Sequence, residues 1–186
     1  EDNNQYDFTR NQDFSLSLWF KYNGDHQNND ENQVIMARGI PGDGNSFMAL
    51  YVNNSFTTYS ALTFELRTNS AQAALKINFP AVIETGQWYH VAIVYDGAAA
   101  DQESMIYGHV NGQTNSYSHL FDNKDFTNST PLNLGYWGAY SNRTYPFNGN
   151  LDEVMIFNKA LSGNEADQLY SDGLANKTQC TANNHV

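Results

Sequence analysis

The alternation of apolar and polar positions is the strongest regularity in this chain. In "FSLSLWFKY", residues 14–22, Phe14, Leu16, Leu18 and Phe20 share one parity, and Ser15, Ser17, Trp19 and Lys21 the other. A period of two predicts a half-buried β-strand. "QVIMAR", "FMALYV", "ALTFEL", "ALKINF", "WYHVAIVYDG", "SMIYGHV", "QTNSYSH", "PLNLGYW" and "LDEVMIF" follow as further strands, separated by polar or glycine-bearing segments. Asn111-Gly112, between "SMIYGHV" and "QTNSYSH", is the signature of a two-residue hairpin turn. Many short strands without intervening helices predict an all-β sandwich or barrel.

One helix reads clearly, in "LSGNEADQLYSDG", residues 161–173. Ser162 and Glu165 have the spacing of a capping box, and Leu161 with Ala166 that of a hydrophobic staple. Gly173 is expected to cap the C-terminus. The domain is accordingly set at residues 1–174, with 175–186 as a tail.

Composition narrows the function. With 186 residues, 40% of them hydrophobic, the chain can bury a full core. The formal net charge of −11, with only 9 Lys plus Arg, disfavours nucleic acid and anionic lipid as partners. No apolar run approaches the roughly 20 residues of a membrane span. The polar bulk is mostly Asn, Ser, Thr and Gln, suited to hydroxyl-rich ligands, while the acids would attract divalent cations. The lone Cys180 cannot form an internal disulfide. The opening "EDNNQYDF" is what a mature form or an excised domain would show.

The order "DFSLSLWFK", "GQWYHVAIVYDG", "HVNGQ" and "FNGNLDEVMIFNKALSGNEADQLYSDG" resembles the laminin-G-like branch of the concanavalin-A-like jelly rolls, over residues 6–173. Gly149, Leu151, Asp152, Glu153, Val154, Phe157, Ala160, Leu161, Ser162 and Glu165 fall where that pattern has such residues. The resemblance implies a two-sheet antiparallel β-sandwich of jelly-roll type with one short C-terminal helix. It also implies a choice among lectins, adhesion domains and polysaccharide-cleaving enzymes.

Asp152 and Glu153 are the acids to weigh. Neighbours on a regular strand face opposite ways, so the two should not enter one cleft as a catalytic pair. In families of this resemblance the aspartate at Asp152 commonly binds a structural Ca²⁺. The expected partners then come from the N-terminal turn (Asp2 or Asn4) or from the "PGDGNS" loop (Asp43, Asn45); hydrogen bonding of Asp152 to turn amides is the alternative.

For a glycan, the loop "GYWGAYSNRTYPFNG", residues 135–149, offers flat aromatics beside planar amide and guanidinium groups. Trp137, Tyr140, Asn142, Arg143 and Tyr145 are its candidate ligand-binding residues. A second oxygen-rich loop, around Asp25 to Asp30, reads mainly as solvated.

The expectation is therefore a non-catalytic, lectin-like carbohydrate-binding module of a secreted or cell-surface protein. It would bind calcium and form part of a larger multidomain chain. A protein-binding adhesion domain with a protein receptor is the first alternative, and a polysaccharide lyase or glycosidase the second.

Overall fold

A computed structural model describes residues 7–24, 32–39, 46–53, 60–68, 75–97, 104–119, 125–127, 130–137 and 146–182. The predicted strands form as β1 (Phe14–Tyr22), β2 (Gln33–Arg38), β3 (Phe47–Asn53), β4 (Ser60–Arg67), β5 (Leu75–Ile83), β6 (Trp88–Asp96), β7 (Ser104–Val110), β8 (Gln113–His119), β9 (Asn133–Leu134) and β10 (Gly149–Phe157). They build two antiparallel five-stranded sheets, ordered β10-β1-β6-β7-β8 and β5-β4-β3-β2-β9.

The inward parity is the apolar one. Phe14, Leu16, Leu18 and Phe20 of β1, with Val91, Ile93 and Tyr95 of β6, meet Met48, Leu50 and Val52 of β3 and Leu62, Phe64 and Leu66 of β4 in one core. The chain before β1 is fastened to it: Phe8 stacks on Phe14 with centroids 4.4 Å apart, and Arg38 bonds Asp7 at 2.7 Å. The β7–β8 hairpin turns at Asn111 (φ 49°) and Gly112 (φ 75°). Two consecutive left-handed residues are what the Asn-Gly pair allows at low cost.

Three features depart from the sequence-based expectation. First, β1 is buried on both parities: Ser15, Ser17 and Trp19 are as inaccessible as the core positions. The Ser15 hydroxyl donates to the Lys159 carbonyl at 2.8 Å and accepts from the Leu161 amide at 3.0 Å. The segment after β10 thus crosses the outer face of the first sheet and starts the helix there.

Second, that helix, α1 (Gly163–Ala182), does not end at Gly173. The capping box forms as expected: Glu165 Oε2 accepts from the Ser162 amide at 2.8 Å, and Ser162 Oγ from the Glu165 amide at 3.3 Å. Leu161 and Ala166 are both buried. Gly173, however, lies mid-helix over Trp19, where a Cβ would come within 2.1 Å of the indole Nε1. The glycine serves close approach, and the first part of the expected tail is helical.

Third, β5 runs through Pro80, within a register irregularity opposite Ala61 and Thr63. Proline donates no ladder hydrogen bond, and β5 is an edge strand, where that omission is tolerated.

Candidate ligand-binding face

The outer face of the second sheet follows from the same parity. With Met48, Leu50 and Val52 inside, β3 presents Phe47, Ala49 and Tyr51 outward; with Leu62, Phe64 and Leu66 inside, β4 presents Thr63, Glu65 and Arg67. Register aligns Arg67 with Phe47, Glu65 with Ala49 and Lys76, and Thr63 with Tyr51 and Asn78. The result is a small grid of aromatic and polar groups on a rigid sheet.

Its contacts are specific. The Arg67 guanidinium lies 4.9 Å from the Phe47 ring centroid, and the Lys76 ammonium 5.8 Å from that of Tyr51. Both are cation–π distances. The Tyr51 hydroxyl donates to Glu65 Oε2 at 2.9 Å. Burial first, then the neighbouring carboxylate, pushes that phenol well above its ordinary pKa. Thr63 Oγ1 donates to Asn78 Oδ1 at 2.8 Å. Asn78 and Lys76 are exposed, and Glu65 and Arg67 half-buried. Two cations thus stand beside a single carboxylate.

Trp137 joins this face. Its ring centroid lies 6.0 Å from that of Phe47, and it clusters with Val34, Ala37, Ala49 and Tyr51. It is only 6% exposed, and its indole N–H donates to the Gly39 carbonyl at 2.8 Å. Trp137 therefore packs over the outward side of β2 and β3 and is buried together with Phe47, Ala49 and Tyr51, instead of offering the open stacking surface expected of it. Tyr140, Asn142, Arg143 and Tyr145 lie outside the described residues.

The acid pair lies elsewhere, on β10 of the first sheet, and its geometry differs from the regular-strand expectation. Glu153 takes a left-handed φ of 50°, and the β1–β10 register slips between Ser17 and Trp19. This bulge cancels the alternation, so Asp152 and Glu153 both reach Lys177 of α1. Asp152 Oδ2 bonds the ammonium, Glu153 Oε1 lies 3.3 Å from it, and Asp152 Oδ1 accepts from the Glu153 amide at 2.9 Å. The hydrogen bond from Lys177 is the largest cause holding the Asp152 carboxyl below its ordinary range. Burial by itself would depress the Lys177 ammonium; its bonds and charge interactions with both acids more than offset this and raise it.

As arranged, these carboxylates suit an ammonium. A Ca²⁺ ion takes six to eight oxygens, and among the described residues no three His, Cys, Asp or Glu side chains converge. Asp2, Asp43 and Asn45, the expected partners of Asp152, lie outside the described residues, as does the loop around Asp25 to Asp30.

Sequence reasoning missed Tyr51, Glu65, Arg67 and Lys76. Their signal was the outward parity of "FMALYV", "ALTFELR" and "LKINF", which any strand face shares; the cross-strand register singles them out.

A family model described as the concanavalin A-like lectin/glucanases superfamily matches residues 2–167. No curated protein matches the chain in sequence. Among similar solved structures is a putative carbohydrate binding protein from Bacteroides ovatus: 19% identical, TM-score 0.61, covering 87% of this chain and 41% of that one. A second is the carbohydrate-binding module CBM40 of the Ruminococcus gnavus IT-sialidase, bound to α2,3-sialyllactose: 16% identical, TM-score 0.63, covering 86% and 83%. A third is the mouse laminin α1 chain, domains LG4-5: 14% identical, TM-score 0.57, covering 83% and 38%. This chain spans less than half of the Bacteroides and laminin chains, and most of the sialidase module.

Proposed function

For a chain that belongs to the concanavalin A-like lectin/glucanases superfamily, we propose a carbohydrate-binding role without catalysis, as a module of a secreted or cell-surface protein. The observation that carries this reading is the outer face of the second sheet. There Arg67 over Phe47, the Glu65–Tyr51 pair and exposed Asn78 stand side by side. Carbohydrate hydroxyls need planar donors and acceptors at fixed spacing, and a strand face supplies them about 7 Å apart on alternate residues. The structural relatives named for carbohydrate binding favour the same reading.

Catalysis has less support. Hydrolysis by the usual route needs two carboxyls across the scissile bond, and Glu65 is the one carboxylate on β2 to β5. Tyr51 is held protonated against it and is a poor base.

A protein-binding adhesion role is the second reading, favoured by Leu134 and Tyr136, which are 44% and 43% exposed at the β9 edge. Calcium stays within the proposal through Asp2, Asp43 and Asn45; at Asp152 it would have to displace Lys177.

The test is a glycan array probed with the domain in calcium and in EDTA, comparing neutral with acidic sugars. Arg67→Ala, with an unchanged circular dichroism spectrum, should lower binding by about tenfold or more, the effect of losing one charge-assisted contact. Silence of the parent domain across the array, with capture of a protein receptor that Leu134→Asp abolishes, would replace the glycan reading by the adhesion one. Signal lost in EDTA would make calcium a requirement.

A further inference from the structure

The outer face of the first sheet carries a second constellation, remote in the fold from the glycan face. Four side chains converge on one ammonium. Lys177 Nζ lies 5.1 Å from the Trp88 ring centroid and 5.7 Å from that of Trp19. It bonds Asp152 and lies 3.3 Å from Glu153 Oε1. Its side chain is only 11% exposed.

Aromatic faces and carboxylates around one cation combine the two ways a protein recognises an ammonium, by the ring quadrupole and by charge-assisted hydrogen bonds. A simple surface ion pair requires neither indole and contributes little.

The backbone is specialised for this cage. Glu153 accepts a left-handed conformation, which is strained for a non-glycine residue, and this turns its carboxylate to the same side as that of Asp152. Gly173 lets the helix ride on Trp19: a Cβ there would lie 2.1 Å from the indole Nε1 and 2.9 Å from Glu153 Oε2. Trp19 is 2% exposed, yet its Nε1 has no hydrogen-bond partner. Leu174, Ala175 and Asn176 are exposed, and Lys177 turns back to the sheet.

We propose that Trp19, Trp88, Asp152 and Glu153 form a binding site for a primary alkylammonium group, such as a lysine side chain presented by another molecule. Lys177 fills the site in cis, and the last turns of α1 act as a displaceable plug. A primary ammonium keeps both the cation–π contacts and the hydrogen bonds to the carboxylates, whereas a quaternary one would keep only the former. Two carboxylates against one cation also leave the cage attractive to positive charge in a chain of net charge −11.

The experiment follows the Trp19 and Trp88 indole N–H resonances of the ¹⁵N-labelled full chain during titration with N-acetyl-lysine methylamide. Its norleucine counterpart serves as the uncharged control. Lys177→Ala should give saturable shifts of both resonances with the lysine probe and none with the control. The parent chain should respond about tenfold more weakly, since its own lysine competes at high effective concentration. Adding Asp152→Asn and Glu153→Gln to Lys177→Ala should abolish the shifts. Absence of saturable shifts in a folded Lys177→Ala chain would overturn the proposal, as would shifts that survive loss of both carboxylates.

Should Lys177→Ala fail to fold, amide hydrogen exchange of residues 174–182 in the parent decides. Faster exchange with the lysine probe than with the control supports the plug; equal exchange overturns it.

Discussion

His90 shows how much one buried side chain can set. Its Nε2 is 2.9 Å from the Ser17 hydroxyl, and its ring packs beside the stacked pair of Trp19 and Tyr170, with centroids 5.4 and 5.9 Å away. Its Nδ1 has no hydrogen-bond partner. Burial chiefly, and then the charge of nearby His109, lowers its pKa from 6.5 to about 4. The imidazole is therefore neutral in the folded chain at pH values where the unfolded chain would already bind the proton. Stability from this source is complete above pH 6.5 and is lost as pH falls towards 4, by up to about 3 kcal/mol. Urea denaturation at pH 7 and pH 4.5 should show that loss, and His90→Gln should flatten the difference. An equal pH dependence in the variant would assign the loss to other groups. At the same scale, Ser162→Ala removes the acceptor for the Glu165 amide and should cost about 1 kcal/mol, readable in the same denaturation curves.

At the scale of elements, Gly173 is the decisive position of α1. Replacing a mid-helix glycine by alanine ordinarily stabilises a helix by roughly 1 kcal/mol. Here the added methyl would strike Trp19, so Gly173→Ala should instead destabilise by about 1–3 kcal/mol, the usual cost of overpacking. It should also alter Trp19 fluorescence as the helix lifts. A rise in melting temperature would show that α1 is seated less closely than described.

Gly173 marks the limit of what the sequence disclosed. Strand parity, the Asn-Gly hairpin and the Ser162–Glu165 cap are local patterns, and all three formed. That Gly173 prolongs the helix, and that Glu153 leaves the strand conformation, depend on Trp19 and Lys177, which lie far away in sequence. No period along the chain encodes those contacts. The candidate glycan face was half legible for the same reason. The outward parity of Thr63, Glu65 and Arg67 could be read, but their partners Tyr51, Phe47 and Lys76 come from neighbouring strands whose register is a tertiary outcome.

Across the whole molecule, the two outer faces are used differently. On the first sheet, β1 and β6 are covered by the chain after β10 and by α1; the second carries the grid around Arg67 and Glu65. Charge should separate them experimentally. If acidic sugars bind over Arg67 and Lys76, affinity should fall as salt rises through the range where the Debye length shrinks from about 10 to 3 Å. Neutral sugars held by hydrogen bonds and ring contacts should be nearly indifferent to salt. Isothermal titration at low and high ionic strength measures the difference.

Pro80 has a bearing on life in a crowded solution. An edge strand is an open template on which a second copy can add its own strand, and repetition of that step makes a fibril. On β5 the template is broken in its middle, where a proline offers no amide hydrogen and the register is irregular. At the opposite edge, β9 is two residues long, too short a rail for another chain to follow. A sheet guarded at both ends can carry accessible polar groups such as Lys76 and Asn78 on its outer side without polymerising through its own margins.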